Sequence, residues 1–373
     1  MSKTKHIYYF DYLRVIAAIS VIYMHVAASP LRGDMNFDWH LINFFTCLGF
    51  TAVPLFLMMS GHLLLTSEKT LDISVLLKKR LPHLAIPLAG WTVVAVLWRW
   101  LTSSDHSLSA IYDGLVSSLS SPAWVHFWYM YSLIAFYLLS PIICGGLRAL
   151  DKKGHIFVLT IIALISLRTI LRLFLPESVA VFLNIDALNK LTPFGGYLAT
   201  FILGYYLGNL KQRIPNIILI SASVIILGII VLGTYYLTAT TGEFNQNFQS
   251  QASGFEVVLA SCIFLLFKQN MDKESKVLKH IPIVPLSLSI YLMHNILLSM
   301  MGYISIFSAT TFLRTVFVTA SNFVICFITM KTVTTIKPIC YLASGMTFEA
   351  ACKTCNWVYT YNKIKKALRD KKK

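Results

Sequence analysis

The chain has 373 residues, 56% of them hydrophobic and 13% charged, with a mean hydropathy of +0.67 and a net charge of +16. Soluble globular proteins carry about 25% charged residues, so the composition excludes an ordinary soluble domain and describes a polytopic membrane protein. The seven cysteines lie mostly in apolar stretches and form no secreted disulfide framework, and the basic excess must be located before it is read as a nucleic-acid signal.

Lys3 and Lys5 precede an apolar run, as in a signal peptide, but Arg14 lies inside the run and many spans follow. It therefore reads as a retained first helix. Ten apolar spans are predicted, near 7–28, 41–65, 84–103, 125–143, 155–175, 192–210, 215–238, 254–268, 281–305 and 312–336. Together they make residues 1–336 one all-α membrane bundle of about ten transmembrane helices. Basic residues alternate between the connecting segments. Twenty-five of the 32 fall on one side, in the segments around Lys3, Lys69–Arg80, Arg148–Lys153, Lys211–Arg213 and Lys268–Lys279 and in the tail from Lys331; the other side has only Arg32 and Lys190. By the positive-inside rule both termini are cytoplasmic, and the charge anchors loops to the lipid bilayer with no need of nucleic acid.

The outward loops near 104–124, with Asp105, His106 and Asp113, and near 239–253, with Glu243, are too short to form a second domain. No long repeat or linker interrupts the bundle. Residues 337–373 form a basic cytoplasmic tail. There Trp357, Tyr359 and Tyr361 run into Lys363, Lys365, Lys366 and Arg369, the pattern of an interfacial helix.

Ionisable groups inside an apolar span are costly, so they are functional candidates by default. The first span holds three. Arg14 and His25 are separated by eleven residues, which places them on nearly one helical face about 16 Å apart along the axis, with Asp11 one turn before Arg14. An imidazole serves as a general base on a hydroxyl near neutral pH, or simply as a hydrogen-bonding group between helices. The Arg14 guanidinium suits phosphate or carboxylate, and a salt bridge to Asp11 is compatible with either.

Further along, Ser60-Gly61 permits close approach of a ligand or of another helix, and packing alone explains such a pair. Lys78-Lys79-Arg80 ahead of the third span is ordinary positive-inside anchoring or a phosphate-binding cluster. Trp128, in His126-Phe-Trp-Tyr-Met-Tyr131, is an interfacial belt residue or a platform for a sugar ring, and His294 puts another imidazole within a span. Cys352-Lys-Thr-Cys355 has redox or metal spacing, but no second ligand pair stands nearby, and no metal site is assigned.

Taken together these pieces form a pattern. Asp11-Tyr-Leu-Arg14, the gap to His25, Pro54-Leu-Phe-Leu-Met-Met-Ser-Gly61, Phe127-Trp128 with Tyr137-Leu-Leu-Ser-Pro141, and Ile290-Tyr-Leu-Met-His294 occur in the order seen in the acyltransferase 3 family. The chain resembles that family of integral membrane acyltransferases, which modify cell-surface glycans such as O-antigens and enterobacterial common antigen. The tail segment from Tyr341 to Trp357 looks like an extension present in some members. The resemblance implies a multi-pass protein of the bacterial cytoplasmic (inner) membrane. It further implies transfer of an acetyl or other short acyl group from acetyl-CoA to a hydroxyl of a glycan, polysaccharide or lipid-linked.

Carried over by position, His25 is the catalytic histidine, Arg14 with Asp11 its partner, and Arg80 a donor-binding residue beside Lys78 and Lys79. Trp128, Ser60, Gly61 and His294 are the expected acceptor contacts. Two positions depart from the family: His62 replaces the usual aromatic after Ser-Gly, and His83 replaces a common second arginine. Direct attack with His25 as base and a covalent relay through His25 or Ser60 both remain open. The competing class is a transporter or flippase, since intramembrane His and Arg also mark proton and anion paths; the absence of an inverted repeat or paired broken helices counts against it.

Overall fold

The computed structural model describes residues 6–176, 186–251, 253–279, 281–308 and 310–370, the side chains of 186–195 excepted. Lys3, Lys5, Lys371, Lys372, Lys373 and the side chain of Lys190, used in the charge count, lie outside the described residues. Among the described residues there is no strand. Fifteen helices are named here. They are α1 (Tyr8–Ala27), α2 (Phe37–Gly49), α3 (Ala52–Thr66), α4 (Pro82–Thr102) and α5 (Leu108–Ser117). Next come α6 (Trp128–Ala149), α7 (Lys152–Phe174), α8 (Asp186–Asn209), α9 (Asn216–Thr241) and α10 (Gly254–Asn270). The last are α11 (Ile283–Met301), α12 (Phe312–Val333), α13 (Lys337–Ser344), α14 (Phe348–Thr354) and α15 (Trp357–Asp370).

Each predicted span falls on a helix, and eight of the helical segments are long and apolar enough to cross a membrane. The other two are α8 and α10. With 17 residues, α10 rises only about 25 Å, against a hydrocarbon core of about 30 Å. The second predicted span is not one straight helix but two, α2 and α3. Pro54 explains the break: it offers no N–H to the carbonyl of Phe50, and its ring would clash there. The outward loop near 104–124 contains a helix, α5, started by the Ser107 hydroxyl accepting from the Ala110 amide. Apolar side chains cover the outer faces, as on α9, where Val224, Ile225 and Leu232 are each more than 60% exposed. That surface suits lipid rather than water.

The chain divides into two compact units. The first comprises residues 1–72, 138–274 and 309–316. Here Tyr9, Phe10 and Leu13 of α1 pack with Leu55, Met58 and Met59 of α3 and with Val257, Ala260 and Phe264 of α10. Helices α3 and α8 approach to backbone contact. A Cβ on Gly61 would lie 1.7 Å from the Phe201 carbonyl oxygen, and one on Gly204 would lie 2.1 Å from that of Met58. Small residues permit such crossings where no hydrophobic force drives helices together. The two ends of this unit differ in charge. At one, Lys268 donates to the carbonyls of Leu207 and Leu210, closing the C-terminus of α8 with a cation. At the other, Trp39 donates from Nε1 to the Leu31 carbonyl, and Asp38 accepts from the Phe312 amide.

The second unit comprises residues 73–137, 275–308 and 317–373. A π-helical turn, Leu76–Arg80, leads into α4, whose first residue is Pro82. The tail folds into α13, α14 and α15. The first of these lies along α4, where Trp91 donates from Nε1 to the Ala343 carbonyl at 3.0 Å. The last is joined to α12 by Lys331, whose ammonium sits 4.1 Å from the Trp357 ring centre.

Candidate active site

Helix α1 runs unbroken through Asp11, Arg14 and His25, so the one-face reading holds: eleven residues turn through about 20° beyond three full turns. Asp11 is shared. Its Oδ2 takes His6 Nε2 at 2.6 Å and its Oδ1 stands 3.9 Å from Arg14 Nη1. His6 was not anticipated. Its signal was slight: an imidazole five residues before a carboxylate, outside the apolar run. This end of α1 is fixed by the loop after α10, because Asp272 accepts from the Tyr8 amide and the Lys273 carbonyl accepts from the Tyr12 hydroxyl.

His25 is half-buried in the last turn of α1. The preceding turn is held by α2, with Gly49 packed against Met24 and the Ser20 carbonyl. Beyond His25 the chain turns through Pro30–Arg32, and a cleft of about 430 Å3 opens there, lined by Arg32, Asp34, Thr238, Glu243 and Phe244. A second, of about 300 Å3, shares Gly33 and Asp34 with it and adds Asn36, Asp38 and Trp39. The imidazole-bearing end of α1 thus has polar and aromatic surface beside it.

On α3, Ser60 is half-buried, whereas Gly61 is consumed by the crossing with α8. His62 packs its ring edge-on to Phe10, with centroids 5.7 Å apart, and lies against Gly208. It fills the space an aromatic would fill, which accounts for an imidazole being tolerated at that position.

In the second unit Lys78 and Lys79 are exposed and Arg80 half-buried on the π-helical turn. Such turns widen the helix and re-aim its side chains. Pro82 fits the turn, since the Leu81 amide already reaches back five residues to Leu76 and the proline has no N–H to place. Directly after the basic cluster, His83 Nδ1 donates to the Gly345 carbonyl, and its ring faces Tyr341. The position where the family commonly has arginine here fastens the tail instead.

Trp128 is half-buried at the start of α6, and His294 on α11 is fully buried. His294 belongs to a network that includes a residue not singled out before, His126. The two rings are 4.6 Å apart. His126 Nε2 donates to the Leu292 carbonyl at 3.3 Å, and its Nδ1 accepts from Asn295 at 3.3 Å, so both nitrogens are used in the neutral form. Tyr291 donates from its hydroxyl to the His126 carbonyl, and Asn322 donates to that of His294 at 2.9 Å. A further cleft of about 310 Å3 is lined by Trp98, Arg99, Trp124 and Ser299.

The CxxC pair lies in the tail. Cys355 is buried and Cys352 half-buried, and no group of three metal-ligating side chains occurs among the described residues. Burial pushes the Cys355 and Cys340 thiols up from their ordinary value. Such thiols are poor nucleophiles at neutral pH.

The sequence matches the family model described as an acyltransferase domain, of the acyltransferase 3 type, over residues 7–331. No curated protein and no solved structure matches the chain.

Proposed function

The chain belongs to the acyltransferase 3 family, and from that premise we propose that it is a ten-span O-acyltransferase of the bacterial cytoplasmic membrane. Both termini are cytoplasmic in this reading, the acyl donor is acetyl-CoA, and the acceptor is a hydroxyl of a cell-surface glycan or its lipid-linked precursor. The observation that carries it is the placing of Arg14 and His25 on one face of a single unbroken helix, about 16 Å apart, the guanidinium at the basic end.

Arg14 is a candidate contact for the donor's phosphates, and the Lys78, Lys79 and Arg80 cluster of the second unit is a separate candidate for the same chemistry. Asp11 orients the Arg14 guanidinium. The acceptor saccharide enters at the other end of α1, where the cleft lined by Arg32, Asp34, Glu243 and Phe244 supplies carboxylates for hydroxyls and a ring face for the sugar. Trp128 and His294 remain candidate acceptor contacts. His25 removes the proton from the acceptor hydroxyl as its oxygen attacks the thioester carbon. The carbon–sulfur bond then breaks, and the proton passes to the departing thiolate.

Membranes given labelled acetyl-CoA, with and without a glycan acceptor, test the reading. Label is expected on the glycan with the native chain and absent with His25→Ala at equal protein abundance. Undiminished transfer by His25→Ala would overturn the assignment of the base.

A further inference from the structure

A second polar centre lies buried in the first unit, away from the Arg14 end of α1, and the acyl-transfer reading leaves it unused. Glu256 occupies the first turn of α10, behind the Ser253 cap, and is fully buried. Among the described residues neither carboxylate oxygen has a hydrogen-bond partner, and no ion pair includes it. Gln249 is 1% exposed. Its amide nitrogen is spent on Asn43 Oδ1 at 2.7 Å and Cys47 Sγ at 3.1 Å, which leaves its carbonyl oxygen unpartnered among the described residues. Asn43 in turn gives its own N–H to the Val231 carbonyl at 3.2 Å. Cys47 joins these groups: its sulfur accepts from Gln249, and it packs in one cluster with Phe255, the residue before Glu256, and with Ile230, one turn before the fully buried Thr234. The surrounding wall is apolar: Ile230, Leu259, Phe248 and Phe255, the two phenyl rings stacked.

The amide donors of Asn43 and Gln249 are thus committed, while the Glu256 carboxyl oxygens, the Gln249 carbonyl oxygen and the Thr234 hydroxyl have no hydrogen-bond partner among the described residues, and the carboxyl, where ionised, carries a negative charge. A water molecule would satisfy hydrogen bonds but not the charge. A buried carboxylate is retained only where a positive charge or a bound proton balances it. Carboxylate, amide carbonyl and hydroxyl are hard oxygen ligands, which favour hard cations. A transition metal is not favoured, since no three metal-ligating side chains come together among the described residues. A divalent ion would leave one net charge inside the apolar wall.

We propose that Glu256, Gln249 and Thr234 form a buried site for a single monovalent cation, with Na+ and the proton as its two sources. The site is independent of acyl transfer, and an inactive His25→Ala chain keeps it.

The experiment uses the full chain in lipid nanodiscs. Thermal unfolding is followed by tryptophan fluorescence while NaCl replaces choline chloride at constant ionic strength, and again across a pH series. Binding of radiolabelled Na+ is measured directly. Bound sodium and a saturating Na+-dependent stabilisation are expected, both lost in Glu256→Gln. Thr234→Val should raise the half-saturating Na+ concentration about tenfold, the loss of one oxygen ligand. If Na+ has no effect but the native chain shows a pH dependence that Glu256→Gln removes, the occupant is the proton. The proposal is overturned if the native chain binds no sodium and its Na+ and pH responses coincide with those of Glu256→Gln. Should that variant fail to accumulate, absence of bound sodium together with a pH response unchanged in both Thr234→Val and Gln249→Leu overturns it equally.

Discussion

The imidazole of His83, at the start of α4, donates to the carbonyl oxygen of Gly345, 262 residues later in the chain. Gly345 holds a left-handed conformation, φ +70°, at the end of α13, and a Cβ there would stand 2.2 Å from the His83 carbonyl oxygen. Only glycine meets both conditions without strain. This junction presses the tail onto the helix that follows Lys78, Lys79 and Arg80. Gly345→Ala should therefore release the tail, at a cost of about 1–2 kcal/mol for the backbone alone. Limited proteolysis should cut residues 337–370 faster. If the basic cluster holds the donor, the KM for acetyl-CoA should rise several-fold with kcat little changed. Unaltered proteolysis would show that the junction is dispensable.

Arg14 is predicted to be irreplaceable by lysine. Its guanidinium stands 3.9 Å from an Asp11 that also holds His6, and a point charge on a flexible stem does not reproduce the planar fork that suits a phosphate. Arg14→Lys should lose transfer activity by a factor of about one hundred or more. Asp11→Asn, which keeps the shape but not the charge, should raise the donor KM and leave a measurable rate. Equal activity of Arg14→Lys and the native chain would remove the phosphate contact.

The crossing of α3 and α8 gives a stability prediction that is independent of function. Gly61→Ala places a methyl on the backbone of Phe201, where no side chain can rotate away. Overpacking of that kind costs about 3 kcal/mol. The variant should show a lower Tm and lower abundance, whereas Ser60→Ala, at a half-buried neighbour, should be nearly neutral in stability. A normal Tm for Gly61→Ala would mean that the two helices can slide apart at little cost.

Much of this was legible in the residues, and the exceptions have physical causes. Apolar length placed each predicted span on a helix, eight of the helical segments being long and apolar enough to cross a membrane, because apolar length follows directly from lipid solvation. The polar face of α1 was legible because Asp11, Arg14 and His25 share one helix, where spacing alone determines direction. The split at Pro54 was present in the sequence but hidden by the unbroken apolar run around it. The His83–Gly345 bond, the His126–His294 pair and the gathering of Asn43, Cys47 and Gln249 near Glu256 could not be read, since each joins residues far apart in the chain. Glu256 itself carries a signal in the sequence, a lone carboxylate at the head of a short apolar helix.

The tail thiols give a pH prediction. Burial raises the folded-state values of Cys340 and Cys355, so the unfolded chain loses these protons first as pH rises. The protonated thiols stabilise the fold below the unfolded value of about 8.5, and that contribution disappears through the folded values above it. The native chain should lose stability between neutral pH and about pH 10 more steeply than a Cys340→Ala, Cys355→Ala double variant. Parallel curves from denaturant titration would contradict this.

Sidedness decides whether donor and acceptor meet the correct ends of α1. Tyr8 and Tyr12 tie the Arg14 end to Asp272 and Lys273, while Glu243 lines the cleft beyond the His25 end. Cysteines introduced at Lys273 and at Glu243 therefore report the two ends separately. Six of the seven native cysteines are buried, which keeps background labelling low. In right-side-out vesicles a membrane-impermeant maleimide should label Glu243→Cys at once and Lys273→Cys only after permeabilisation. The reverse pattern would put the guanidinium outside, where no acetyl-CoA is available to it, and a cytosolic donor could no longer reach Arg14 first.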